Sequence, residues 1–121
     1  MKNYKVITVI ALTLLYIFGT VSVVSAKSSF QIHNETRYRI SRIYVYPYGR
    51  SGSSHQQNSH TIPSGKTFVL GNMPISSSNR YWNIKIVFSN GKSREWKKQN
   101  LYSHREMTIY DSGSKIFADF D

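Results

Sequence analysis

The side chains with chemical reach in this sequence are four histidines, six carboxylates, many serines and a dense set of cationic and tyrosyl residues. Cysteine is absent, which removes thiolate nucleophiles and disulfides. Acid–base catalysis by paired carboxylates would have to draw on Glu35 and Glu95, or on Asp111, Asp119 and Asp121 near the end. Glu35 falls in a turn and Glu95 in a hairpin arm, so both read as solvated surface acids. His33, His55, His60 and His104 are scattered at spacings that suit no structural metal motif, which needs about four converging ligands. There is no G-x-S-x-G nucleophile elbow. Gly49-Arg50-Ser51-Gly52 lacks the Lys-Ser/Thr pair that completes a phosphate loop. The sequence therefore predicts no catalytic residues, no metal and no cofactor.

One pattern stands above this background. Arg37, Arg39 and Arg42 lie along the second strand beside Tyr38, Tyr44, Tyr46 and Tyr48. Further along, Lys92, Arg94, Lys97 and Lys98 surround Trp96. Guanidinium groups bind phosphate and carboxylate through two parallel hydrogen bonds. Aromatic rings beside them can stack on sugars or settle at a membrane interface. The competing reading is a solvated basic face laid over ordinary core aromatics.

These residues must be positioned by strands, because no long segment has helical period. Apolar residues come in short alternating runs broken by Ser, Asn, Gly and Pro. Phe30 and Ile32 mark a first strand, and Asn34-Glu35-Thr36 a turn. A second strand spans Tyr38–Tyr46, stopped by Pro47, which lacks a ladder donor. Its alternation slips between Ile40 and Ile43, so a bulge is expected near Ser41 or Arg42. Residues 48–60 and 72–80 read as polar surface loops. Pro63 and Gly65 suit a type II turn leading into a strand at Thr67–Leu70. Tyr81–Phe88 is the strongest strand, with Trp82, Ile84, Ile86 and Phe88 on one face. Asn90-Gly91 is a hairpin signal; its second arm, Lys92–Lys97, turns Trp96 inward, and Leu101 plugs one end of the core. Glu106–Asp111 and an edge strand at Lys115–Phe120 complete about seven strands. The expected fold is all-β: one small antiparallel β-sandwich over residues 27–121.

Residues 1–26 read as a signal peptide that forms a helix. Lys2 and Lys5 precede the apolar run Val6–Phe18, and Val24-Ser25-Ala26 supplies a small-residue cleavage site after Ala26. The rival reading is an uncleaved anchor, but a spanning helix needs about 20 apolar residues. Cleavage leaves 95 residues with fourteen Lys and Arg against six acids, a net charge of +8. That charge favours solubility, a monomer and anionic partners. The lack of cysteine in an exported domain tilts the reading toward a bacterial secreted or periplasmic protein. Asn34-Glu35-Thr36 matches a glycosylation acceptor, though such triplets are common by chance.

The segments Phe30–Thr36, Ile40–Pro47, Ile62–Lys66 and Trp82–Gly91 together resemble a group of small exported bacterial β-proteins of unassigned function. The shared pattern is an N-x-T turn, an I-x-x-I-Y-V-x-P strand and a W-x-I strand ending in N-G. The resemblance implies a compact sandwich and brings no activity with it. The chain departs from that group in being basic, and in carrying Asn83 where an Asp is usual.

Three functions compete. The first is a non-catalytic binding protein that recognises an anionic envelope component: acidic lipid, lipopolysaccharide or wall polymer. It would touch membranes peripherally, through the same side chains. The second is an immunity or inhibitor protein held by a protein partner through loop tips. The third, an extracytoplasmic hydrolase, lacks a visible set of convergent groups. Export argues against a dedicated nucleic-acid role, although the charge permits one.

Overall fold

The structure is a computed structural model that describes residues 29–50 and 56–121. The expected signal peptide, with its helix and cleavage site, and His55 lie outside the described residues. Seven strands form: β1 (Phe30–Asn34), β2 (Ile40–Pro47), β3 (Thr67–Leu70), β4 (Tyr81–Phe88), β5 (Ser93–Asn100), β6 (Glu106–Ser112) and β7 (Lys115–Phe120). They make a four-stranded sheet in the order β3-β1-β6-β7 and a three-stranded sheet in the order β2-β4-β5.

Alternation explains which faces meet. Phe30, Ile32, Met107, Ile109 and Ile116 point inward from the larger sheet. Ile43, Val45, Trp82, Ile84, Ile86 and Phe88 answer them from the smaller one, and all belong to one buried cluster. Leu101 closes one end at 2% exposure. Trp96 lies half-buried against the cluster, opposite Ile84. The expected bulge is present: the β2–β4 register shifts between Ile40 and Arg42. Gly91 turns the β4–β5 hairpin at φ 88°.

Three expectations need correction. The sandwich is not wholly antiparallel, because β1 and β6 pair in parallel. Between them the chain visits the other sheet, so no tight hairpin constrains their direction. In the turn before β3, the Lys66 N–H donates to the Pro63 carbonyl at 3.1 Å, so Gly65 (φ 81°) holds the third position as a type II turn requires, but Pro63 takes the first position rather than the second. Finally, the end of the first polar loop is not loose. The Gln57 N–H donates to the Ile43 carbonyl, Ile40 and Ile62 exchange backbone hydrogen bonds, and the segment covers the open edge of β2.

Buried asparagines hold the junctions. Asn34 is fully buried; its Nδ2 donates to the carbonyls of Tyr38 (2.9 Å) and Ile62 (3.0 Å), and its Oδ1 accepts from the N–H and hydroxyl of Thr36. The glycosylation triplet is therefore structural in the folded protein, since its amide is enclosed and both its donors are used. Asn58 accepts from the Ile43 N–H at 2.7 Å and donates to the carbonyls of Ser41 and His60. Among the described residues, no buried side-chain nitrogen or oxygen lacks a partner.

Asn34→Ala strands several buried backbone groups at once, each worth about 1–3 kcal/mol when left unpaired. Urea denaturation should show a loss of about 3 kcal/mol with an unchanged m-value. A loss within a few tenths would mean that water replaces the amide.

Candidate functional site

The outer face of the three-stranded sheet gathers much of the cationic and tyrosyl pattern. Outward residues of β2 are Arg42, Tyr44 and Tyr46, those of β4 include Tyr81, Asn83 and Lys85, and β5 adds Glu95. Registry sets them in rows: Tyr44 beside Lys85 beside Glu95, and Tyr46 beside Asn83. The Tyr48 N–H donates to the Tyr81 carbonyl at 3.0 Å, which carries the row pattern one step past Pro47.

The β4–β5 ladder breaks between Trp82 and Ile84. Asn83 is nearly buried, and its Oδ1 accepts the Lys98 N–H at 2.9 Å. Lys98 adopts φ 55° there, a left-handed conformation unusual for lysine. Its Nζ lies 5.4 Å from the Tyr48 ring centroid and 5.6 Å from that of Tyr81. Both tyrosines remain substantially exposed. An ammonium is thus held between two aromatic faces, within the range of cation–π attraction. Lys97 is exposed on the same bulge.

Glu95 is the one acid on the strands of this sheet. It accepts a hydrogen bond from the Tyr46 hydroxyl. That bond, then burial, raises the Tyr46 phenol above its ordinary ionisation range, while a bond from Asn83 opposes the shift. Tyr46 therefore stays neutral on this face at any physiological pH.

The remaining basic residues fall elsewhere. Arg37 is committed to structure: its backbone N–H and Nε donate to the two oxygens of Asp111 at 3.0 and 2.8 Å, and a guanidinium nitrogen reaches the Gly113 carbonyl. This clamp ties the bend after β1 to the β6–β7 hairpin. Tyr38 sits at the same end, with Arg37 and Lys92 over its ring at 5.5 and 5.7 Å. Arg39 is exposed nearby, and its carbonyl accepts from Ser89. Arg94 lies over Trp96 and donates to the Ile116 carbonyl at 2.6 Å, bridging the two sheets at one margin. Of the ten predicted residues, Arg42, Tyr44, Tyr46, Tyr48, Lys97 and Lys98 share the outer face. Arg37, Arg39 and Lys92 form a second group at one end, and Arg94 stands alone.

One further cluster has no signature in the sequence. On the outer face of the larger sheet, His33 Nδ1 lies 2.7 Å from the Thr67 hydroxyl and its Nε2 lies 3.2 Å from Glu106. Hydroxyl, imidazole and carboxylate in this order are the parts of an activated nucleophile. Cross-strand polar pairing on a solvent-facing sheet accounts for the same contacts. No local signal marks it, because only the parallel β1–β6 pairing brings Glu106 alongside.

These features define a two-sheet β-sandwich with one cationic, tyrosine-lined face. No protein family matches the chain, and no curated protein matches it. Among solved structures it is similar to the NMR structure of a protein from Eubacterium rectale, with a TM-score of 0.53 and 10% identity, covering 77% of this chain and 86% of that one. At that identity the likeness speaks for the fold alone.

The Arg37 clamp makes a pH prediction. Hydrogen bonds from the Arg37 side chain, then from its backbone, hold the Asp111 carboxyl below its ordinary value. A depressed folded-state pKa stabilises the fold above the unfolded value of about 4, and that stability disappears as pH falls through the folded value. Arg37→Gln should lower the thermal midpoint by a few degrees at neutral pH, and the gap from the parent should close below about pH 4. A gap of constant size across that range would refute the assignment.

Proposed function

We propose that this protein is an exported, non-catalytic binding protein that recognises an anionic component of the cell envelope through the outer face of β2, β4 and β5. The observation that carries this reading is the division of charge between the sheets. The outer face of the three-stranded sheet carries Arg42, Lys85, Lys97 and Lys98 against Glu95 alone, while Arg94 turns to the Ile116 carbonyl at the margin. The strands of the four-stranded sheet carry Lys115 against Glu106, Asp111 and Asp119. A positive potential concentrated on one face steers anions to it, which an even spread of the same charge does not do. Interleaved tyrosines give that face apolar contact area as well as charge.

Binding to acidic lipid vesicles, lipopolysaccharide or anionic wall polymer should weaken steeply with salt, since exposed charges are screened within about 8 Å at physiological ionic strength. Arg42→Glu combined with Lys85→Glu should reduce affinity by about tenfold or more, whereas Lys115→Glu on the opposite sheet should change it little. A salt-independent affinity, or equal losses from both reversals, would end this proposal.

A further inference from the structure

Lys98 departs from what its backbone asks for. At φ 55° a glycine is unstrained and an asparagine well tolerated, whereas lysine is disfavoured. The side chain is exposed and fills no core space. What lysine adds is an ammonium fixed between the Tyr48 and Tyr81 rings at 5.4 and 5.6 Å. Residues kept in sparsely populated conformations concentrate at ligand clamps, where the surrounding structure over-determines them. Here that structure is the buried Asn83, whose Oδ1 grips the Lys98 N–H, and the Tyr48–Tyr81 backbone bond that sets the two rings side by side.

We infer that Tyr48, Lys98 and Tyr81 form a subsite for a sugar ring bearing a carboxylate or phosphate, so that the anionic target is an acidic saccharide rather than a bilayer surface. This rests on the anion-binding reading of the face. The ammonium pairs with the acidic group. Tyr48 and Tyr81 are 50% and 42% exposed, leaving area on which the apolar C–H face of a pyranose can lie. A cation already restrained between rings loses less freedom on binding than a free lysine does. Bilayer insertion calls instead for protruding apolar side chains. The exposed Val69 and Phe117 belong to the strands of the other sheet.

Calorimetric titration of the protein at one ionic strength tests this with three probes: polygalacturonate, its uncharged methyl ester, and phosphatidylglycerol-containing vesicles. Polygalacturonate should bind about tenfold or more tightly than the ester and than the vesicles. Lys98→Gly, which relieves the backbone, should lose about tenfold in affinity for polygalacturonate without losing thermal stability, and Lys85→Gln, which removes the same charge from the same face, should lose less. Tyr81→Ala should match the Lys98→Gly loss and serves as the test if the glycine variant does not fold. If vesicles bind at least as tightly as polygalacturonate, if the ester binds as tightly as the acid, or if Lys98→Gly or Tyr81→Ala costs no more than Lys85→Gln, the subsite is wrong and the basic-face reading survives. If no anionic probe binds, both fall.

Discussion

Hydrogen bonding by buried asparagine side chains is the constraint on which the rest of this structure depends. A small sandwich without disulfides must satisfy its backbone wherever the chain leaves a sheet, because a buried polar group without a partner costs more than most packing contacts return. Asn34 does this between the end of β1 and the carbonyls of Tyr38 and Ile62. Asn58 does it along the open edge of β2, and Asn83 inside the smaller sheet. Each side chain takes the place of a backbone partner that the ladder does not supply. The apolar core gives the sandwich its stability, whereas these amides decide its connections and registers.

The same constraint shapes the outer face. Asn83 points away from the core in the alternation of β4, yet it is nearly buried, because β5 bulges across it. The bulge shifts the end of β5 and turns Lys98 into the left-handed region, where its ammonium meets the two tyrosines. A valine at the Asn83 position would suit β-propensity better. It would offer no acceptor for the Lys98 N–H. The face is thus a consequence of one polar residue placed in the middle of a strong strand.

Much of the fold was legible in the residues. Trp82, Ile84, Ile86 and Phe88 alternate as a half-buried strand must, Asn90-Gly91 marks its hairpin, and the slip from Ile40 to Ile43 betrays the β2 bulge. The misses share a physical cause: they are non-local. Nothing near Phe30 or Glu106 reveals that β1 and β6 run in parallel, since strand direction is settled by which sheet the intervening chain visits. Residues 56–60 look like polar loop because the bonds that order them run to β2. The candidate site was half legible for a related reason. Spacing along β2 put Arg42, Tyr44 and Tyr46 on one face, but the register that sets Tyr48 beside Tyr81, and the bulge that brings Lys98 to both, exist only once β2, β4 and β5 pair. Arg37 and Arg94 look equally free in sequence, and each is drawn into a structural bond to a distant strand.

Concentrating cations on one sheet raises a question of self-repulsion, which a small domain must answer without disulfides. Part of the answer is geometric. Cross-strand neighbours on this face seldom match in sign: Tyr44 and Glu95 flank Lys85, and Val87 lies beside Arg42. Like charges directly opposite would destabilise the pairing. The other part is Glu95. Its carboxylate lies among the cations, where it lowers the local field, and its bond from Tyr46 fixes it in place. It does not cancel the face, because four cations, Arg42, Lys85, Lys97 and Lys98, remain against it there. Tyr48 and Tyr81 add cation–π attraction to Lys98 that offsets part of this repulsion. With Tyr44 and Tyr46 they give the face an aromatic chemistry that lysine and arginine alone would lack.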